Sequence, residues 1–272
     1  ITAGQQEQGH GLTEPLLYGP MIDMAQPVVK WAYEISRIED MPRVIHRAAK
    51  IATTAPPVPV FLSQPGDILN QQAEISLGTP TRVDSVGRPS DAAIENLAQR
   101  IFAAQNPVIV AGTEVVTSDA QAEVMELAEL LGIPVYQQTV PSGAHFCSRH
   151  PAFMGSLTRD QKKVRESLEP YDLMLAIGSD ILQMSVWSPI DPLPEHIGVI
   201  QIGLRDWEMG KNYSAEIAIR HDVGETLRAL VPLLRERTQD HAEAGPSRTL
   251  KELEANNWSS RRDNRITEIR TQ

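Results

Sequence analysis

The sequence predicts an α/β protein: a doubly wound, mostly parallel sheet, preceded by the C-terminal part of a second α/β domain. Three observations carry this expectation. Residues 106–136 read as strand, turn, helix and strand. The apolar run 107–111 stops at Gly112, Val124, Leu127, Ala128 and Leu131 recur at helical spacing, and Gly132 separates that helix from the apolar run 133–136. Such a unit crosses right-handed and lays its helix on a parallel sheet. The same alternation of strand and helix continues to residue 237. Ahead of it, residues 38–63 read as one helix and one strand, the closing beat of a domain whose opening strands are not in the chain.

Taken in order, residues 1–20 (ITAGQQEQGHGLTEPLLYGP) begin in a strand-like phrase and continue as a polar loop with a short helix around Leu16, Leu17 and Tyr18. Residues 27–33 (PVVKWAY) suggest a strand or a tight packing segment carrying Trp31. Asp40 is placed to cap the next helix, with Pro42 in its first turn, where a missing N–H costs nothing. Val44, Ile45, Ala48, Ala49, Ile51 and Ala52 give that helix a broad apolar side, and Pro56 and Pro57 end it. Residues 58–63 (VPVFLS) form a strand whose Pro59 points to an early or edge position. The stretch 64–89, with Pro65, Gly66, Gly78, Pro80, Gly87 and Pro89, reads as an interdomain crossing.

The second domain opens with a helix lined by Ile94, Leu97, Ala98 and Ile101. Ser118 or Asp119 is positioned to cap the helix of the 106–136 unit. Residues 137–158 look irregular. A helix over 159–168 and strands at 173–177, 198–202 and 215–219 follow, with a loop over 181–196. Asp222 and Glu225 have the spacing of a capping box, ahead of the stripe Leu227, Leu230, Val231 and Leu234. Four or five strands result. The polar tail, anchored by Leu250, Leu253 and Trp258, reads as a linker that begins a helix. The expected organisation is therefore 1–68, a truncated domain; 69–89, a linker; 90–237, a complete Rossmann-like domain; and 238–272, a linker.

The totals bound the function. With 41% hydrophobic and 22% charged residues, the 272-residue chain is ordinary globular protein. A formal net charge of −10 argues against a phosphate-backbone binder, so no nucleic-acid partner is expected. The single cysteine, Cys147, excludes a disulfide framework and a thiolate-rich metal site, which favours the cytoplasm. No apolar run reaches the roughly 20 residues of a bilayer-spanning helix, so no membrane partner is expected. The opening ITAG has no initiator methionine, and residue 1 is expected not to be a biological N-terminus.

Candidate chemistry is sparse. The first strand–helix turn, AGTEV, carries only Gly112 where a dinucleotide fingerprint has three glycines. Gly178 and Asp180, in IGSD, stand at the carboxyl end of a strand, where ligands of open sheets sit. Gly112, Gly178 and Asp180 are thus possible nucleotide contacts, with structural turns as the alternative. His145, Cys147 and His150 have a metal-like spacing but no fourth ligand and no hairpin to fix them, and an ordinary loop is expected rather than a metal site. Gln5, Gln6, His10 and Glu14 cluster beside an apolar patch, as in a ligand-facing loop. Glu14 would serve as acid or base only if burial raised its pKa; a cap or surface role is the alternative. Trp31, Trp187 and Trp207 are expected to be packing residues. Read from residues alone, the chain is two α/β pieces without a self-contained active site.

The phrases ITAGQQ, LTEPLLY, PVVKWAYE and VFLSQPGD, followed by PVIVAG, LAELLGIPVY, HPAFMG and YDLMLAIGSD, resemble the thiamine-diphosphate-dependent enzymes over nearly the whole chain. Within that family they look closest to the benzoylformate decarboxylase and acetolactate synthase large-subunit branches. The resemblance implies that residues 1–68 end a pyrimidine-binding domain, that 90–237 are the central domain, and that the tail leads toward a diphosphate-binding domain. The family's catalytic glutamate and the decarboxylase histidine would precede residue 1, and the G-D-G…N signature for magnesium and diphosphate has no match. The chain is accordingly expected to be a fragment, inactive alone, with no catalytic residue of its own. The intact parent would use thiamine diphosphate and Mg2+, add a cofactor ylid to a small-molecule 2-oxo acid and release carbon dioxide. Gln5, Gln6, Glu14, Leu16 and Leu17 would form an active-site wall. AGTEV departs from the glycine-richer flavin pattern, so FAD is not expected. A homodimer or homotetramer is implied for the intact enzyme. An acetolactate synthase-like carboligase and a non-catalytic nucleotide-binding module are the alternative readings.

Overall fold

The computed structural model describes residues 1–81, 83, 86–240 and 248–271. The chain divides into two compact units, Ile1–Ser85 and Val86–Gln272. Residues 82, 84 and 85 of the expected crossing, and 241–247 and 272 of the expected tail, lie outside the described residues.

The first unit is a small parallel sheet of β1 (Thr2–Gln5), β2 (Trp31–Glu34) and β3 (Val60–Pro65), in the order β1-β3-β2. Of the two expectations for Pro59, an early or an edge position, the edge one is corrected, because β3 is central, and the early one holds. Leu62 pairs with Thr2 on one side and Tyr33 on the other. Pro59 sits just ahead of the ladder, where its missing N–H removes no rung, and its carbonyl accepts the Lys30 N–H at 2.8 Å. Short helices α1 (Met21–Ala25) and α3 (Gly66–Leu69) flank α2 (Met41–Thr53) in sequence. The α2 stripe is narrower than its composition suggested. Val44 and Ala48 join Ile35, Val60, Leu62 and Ile68 in the core, whereas Ile45 and Ala49 face solvent. Asp40 precedes α2 without a side-chain capping bond, and its carboxylate instead lies 3.7 Å from the Arg43 guanidinium.

The second unit opens with α4 (Asp91–Phe102), capped by the Ser90 hydroxyl, which accepts the Ala93 N–H at 3.3 Å. Its sheet comprises β4 (Pro107–Ala111), β5 (Val135–Gln137), β6 (Phe153–Ser156), β7 (Leu173–Ile177), β8 (Gly198–Gly203) and β9 (Ile217–Arg220). All pairs are parallel, in the order β6-β5-β4-β7-β8-β9. The direction of winding therefore reverses between β4 and β7, the topological switch point. Every residue of β4 and β7 is buried, which is why both read as unbroken apolar runs rather than alternating ones. Helices α5 (Thr113–Thr117), α6 (Gln121–Leu131), α7 (Gln161–Leu168) and α8 (Val223–Asp240) join or follow these strands. The stripes of α4, α6 and α8 share one core with Ile109, Leu175 and Ile200, while Val164 and Leu168 of α7 pack with Val108, Met174 and Val199 in another.

Four expectations change here. The stretch expected to be irregular contains β6, whose sequence FMGS lacks β-branched residues and whose Gly155 has φ +98°, so no strand pattern announces it. An additional short helix, α5, separates β4 from α6, and neither Ser118 nor Asp119 caps α6, which follows Ala120. The Ser118 hydroxyl bonds the Asp222 carboxylate and accepts the Gly224 N–H at the start of α8. Trp187 and Trp207 are not packing residues: they are 79% and 77% exposed, Trp187 on a loop beyond β7 and Trp207 in a 3-10 turn beyond β8. Finally, the tail is docked rather than free. It forms α9 (Leu250–Ala255), opened by a Thr249–Glu252 capping box, and α10 (Trp258–Thr271). Asn257 donates to the Pro151 carbonyl, Arg261 to that of Met154, and the Trp258 ring lies 6.1 Å from Phe153 and fills the space that a side chain at Gly155 would need. The start of α10 thus covers β6, an edge strand. Among the described residues no helix is long and apolar enough to cross a membrane.

Candidate functional site

Two surfaces gather the residues singled out by sequence. The first is the loop that leaves the carboxyl end of β1. Gln5 closes it, since its amide Nε2 donates to the Gly19 carbonyl at 2.8 Å while its Oε1 accepts the Gln6 N–H at 2.9 Å. A second tie comes from Asp67, whose carboxylate accepts the Gln8 N–H at 3.1 Å. The Tyr18 ring packs over Gly11, where a side chain would crowd it at 3.0 Å. Glu14 sits in the left-handed region at φ 48°, and its N–H bonds the Gly11 carbonyl. The loop is pinned at its ends, yet it holds Leu12, Leu16 and Leu17 at 96%, 98% and 77% exposure. Glu14 and His10 are exposed beside them. Gln5 therefore works within the loop, while Glu14, Leu16 and Leu17 are presented outward. The pair is a small exposed apolar patch on a fixed loop.

The second surface is the switch point of the larger sheet, where the structure brings Gly112, Gly178 and Asp180 together. The Gly112 N–H donates to the Ile177 carbonyl at 2.9 Å, and the Glu114 N–H to that of Gly178 at 3.0 Å. The turns interlock. A Cβ on Gly112 would overlap the Gly178 carbonyl and Ser179, and one on Gly178, at φ +60°, would stand 2.7 Å from the Glu114 side chain. Close approach of two backbones demands glycine at both places. Sequence reasoning missed Glu114 and Arg205. The Glu114 carboxylate accepts the Leu204 N–H at 2.6 Å and lies 3.5 Å from the Arg205 guanidinium, which also pairs with Asp180. Burial raises the Glu114 pKa, opposed by the Leu204 N–H and the Arg205 charge. Glu114 directly follows the strand-ending turn, which is a usable signal; nothing local marks Arg205.

Beyond β5, Gln138 donates to the Thr113 hydroxyl at 3.3 Å and to the Val140 carbonyl at 2.9 Å, and Thr113 bonds Ser142. His145 is buried with Nδ1 unpartnered, and desolvation lowers its pKa against the favourable Ala111 carbonyl. His150 instead pairs with Glu129 at 3.0 Å, and Cys147 is exposed. Among the described residues no three His, Cys, Asp or Glu side chains gather as a metal would require.

Comparison with known proteins fits this geometry. The profile of the thiamine pyrophosphate enzyme central domain matches residues 94–230, which span the six-stranded sheet. The chain belongs to the thiamine pyrophosphate enzyme family. It is 30% identical over 251 residues to benzoylformate decarboxylase of Pseudomonas aeruginosa, covering 90% of this chain and 47% of that protein. It is 28% identical over 211 residues to the acetolactate synthase isozyme 1 large subunit of Escherichia coli, covering 76% of this chain and 37% of that one. Among solved structures, benzoylformate decarboxylase from Polynucleobacter necessarius superposes with TM-score 0.76 at 30% identity, over 86% of this chain and 44% of the other. The 4-hydroxybenzoylformate decarboxylase of Rhodococcus jostii, a thiamine diphosphate-dependent enzyme, does so with TM-score 0.78 at 30% identity, over 91% and 45%. The chain thus spans about half the length of the thiamine pyrophosphate enzymes that it matches.

Proposed function

We propose that the chain is the middle portion of a thiamine-diphosphate-dependent 2-oxo acid decarboxylase of the benzoylformate decarboxylase type, and that it is inactive alone. The observation that carries this reading is the likeness to benzoylformate decarboxylase over 90% of the chain at 30% identity. When bound, thiamine diphosphate supplies an electron sink for the bond that breaks beside the keto group. This chain's part is positional. Leu16 and Leu17 form an apolar wall that excludes water from an aromatic or aliphatic 2-oxo acid, Gln5 fixes the loop that carries them, and Gln6 and Glu14 border it. Acid–base chemistry is proposed to fall to residues outside the chain. The intact enzyme is proposed to be a homodimer or homotetramer.

The test is an assay of carbon dioxide release from benzoylformate with thiamine diphosphate and Mg2+. Residues 1–272 alone are expected to give none, whereas a polypeptide with flanking sequence on both sides is expected to turn over. Turnover by residues 1–272 alone would refute the reading. The likeness to acetolactate synthase favours a second outcome, carboligation, and condensation of two pyruvates in place of aldehyde release would assign the chain to that branch.

A further inference from the structure

We propose that Glu114, Arg205 and Asp180 form an internal latch that fills the crevice at the switch point of the second unit, so that this crevice takes no dinucleotide. A crevice of this kind binds a diphosphate through backbone N–H groups at the first strand–helix turn, left free and approached closely because glycines line it. Here two donors of that turn are already used. The Gly112 and Glu114 N–H groups go to the carbonyls of Ile177 and Gly178, and Gly178 N–H goes to that of Ile202 at 2.7 Å. The glycines serve the approach of one turn to another, because the space beside Gly112 is taken by Gly178 and Ser179. The Ser179 hydroxyl is buried without a partner, but one hydroxyl packed under Gly112 is not a seat for two phosphates.

The charges also oppose an anion. Arg205 is paired with Asp180 and with Glu114, and Glu208 acts on it as well, while neighbouring Lys211 pairs with Glu208 at 3.3 Å. A diphosphate would have to displace two carboxylates from one guanidinium and then stand beside them. The latch joins three successive turns: Glu114 follows β4, Asp180 follows β7, and Leu204 and Arg205 follow β8. Gln183 donates to the second Asp180 oxygen at 3.3 Å, so that carboxylate is held from both sides. Glu114 is likewise faced by the Leu204 N–H and Arg205 from the β8 turn and by Asp180 from the β7 turn.

The experiment has two arms, neither dependent on thiamine diphosphate turnover, so failure here leaves the proposed reaction untouched. In the first, the chain is titrated with FAD and with ADP by calorimetry and flavin fluorescence. No saturable binding up to millimolar ligand is expected, and micromolar binding of either would overturn the proposal. In the second, R205A and E114Q are compared with the unaltered chain by thermal unfolding against pH and by amide exchange. A carboxyl whose folded pKa is raised stabilises fully below its unfolded value and loses that contribution as pH rises through the folded value. Removing Arg205 raises the Glu114 pKa further, so R205A is expected to lower Tm at neutral pH and to approach the unaltered chain in acid. E114Q is expected to speed exchange of the Leu204 amide. If R205A does not fold, R205K, which keeps charge and loses the fork, gives the same pH dependence at smaller scale. Unchanged Tm and unchanged Leu204 exchange in these variants would overturn the latch.

Discussion

In the second unit β4 and β7 are buried along their whole length, with helical stripes on both faces. In the first, β3 is the strand with most of its residues buried, and β1 has none. The cores follow suit. Among the described residues, the first unit's buried cluster is Ile35, Val44, Ala48, Val60, Leu62 and Ile68, while the second unit's main cluster runs without interruption from Ile94 of α4 to Leu253 of α9. Leu12, Leu16 and Leu17 stand in solvent in the first unit. Leucines of the same kind at 127, 131, 175 and 230 are buried in the second. Hydrophobic burial supplies the driving force of folding at about 25 cal/mol per Å² of apolar surface, so the second unit has the larger share of it. The first leaves Leu12, Leu16 and Leu17 outside its core.

This contrast can be broken or sharpened by substitution. The largest effect is expected from Leu175→Ala, in the middle of β7 between Ile109 and Ile200. A loss of roughly 2–5 kcal/mol in urea unfolding is expected, from lost transfer energy plus the cavity left behind. A loss no larger than that of an exposed leucine would erase the distinction between the units. Gly112→Ala comes next, since its methyl group would overlap the Gly178–Ser179 backbone; overpacking there is expected to cost about 1–3 kcal/mol. A neutral result would mean that the β4 and β7 turns do not interlock.

Trp258→Ala is expected to act locally, raising amide exchange along β6 and protease sensitivity at Lys251 while the β4 and β7 amides stay protected. Unaltered β6 protection would remove the docked tail from the account of that edge. His145 offers a test by pH. Its pKa is lowered from 6.5 by burial, so its contribution to stability is full above the ordinary value and is lost as pH falls toward the folded one. The urea midpoint of H145Q should therefore fall less steeply with acidification than that of the unaltered chain, and parallel curves would contradict the burial. The smallest effect is expected from Leu16→Ser, within about 0.5 kcal/mol of the unaltered chain, as for a surface position. A large loss there would show that the leucine is packed.

The α/β class was legible in the sequence, as were the apolar runs of β4, β7 and β8 and the stripes of α4, α6 and α8. The site was legible in part. Gly112 and Gly178 stand at strand ends as expected and pack against each other's turns, while Asp180 pairs with Arg205. Arg205 was invisible because its partners Asp180 and Glu114 are brought to it by the parallel sheet alone. Ile45 and Ala49 looked buried because a stripe drawn from composition is wider than the face that the β3 side actually covers.

What the sequence by itself determined is local periodicity: where the chain extends, where it coils, and where glycine must turn it. Those choices are set by contacts within a few residues, so a pattern of period two or 3.6, or an unbroken apolar run, encodes them. Tertiary structure alone decided that the weak segment FMGS becomes β6, that the polar tail covers it, and that Glu114 reaches the Leu204 N–H across 90 residues of chain. Parallel pairing places strand ends from distant parts of the chain side by side, and only there do a buried carboxylate and its arginine acquire each other.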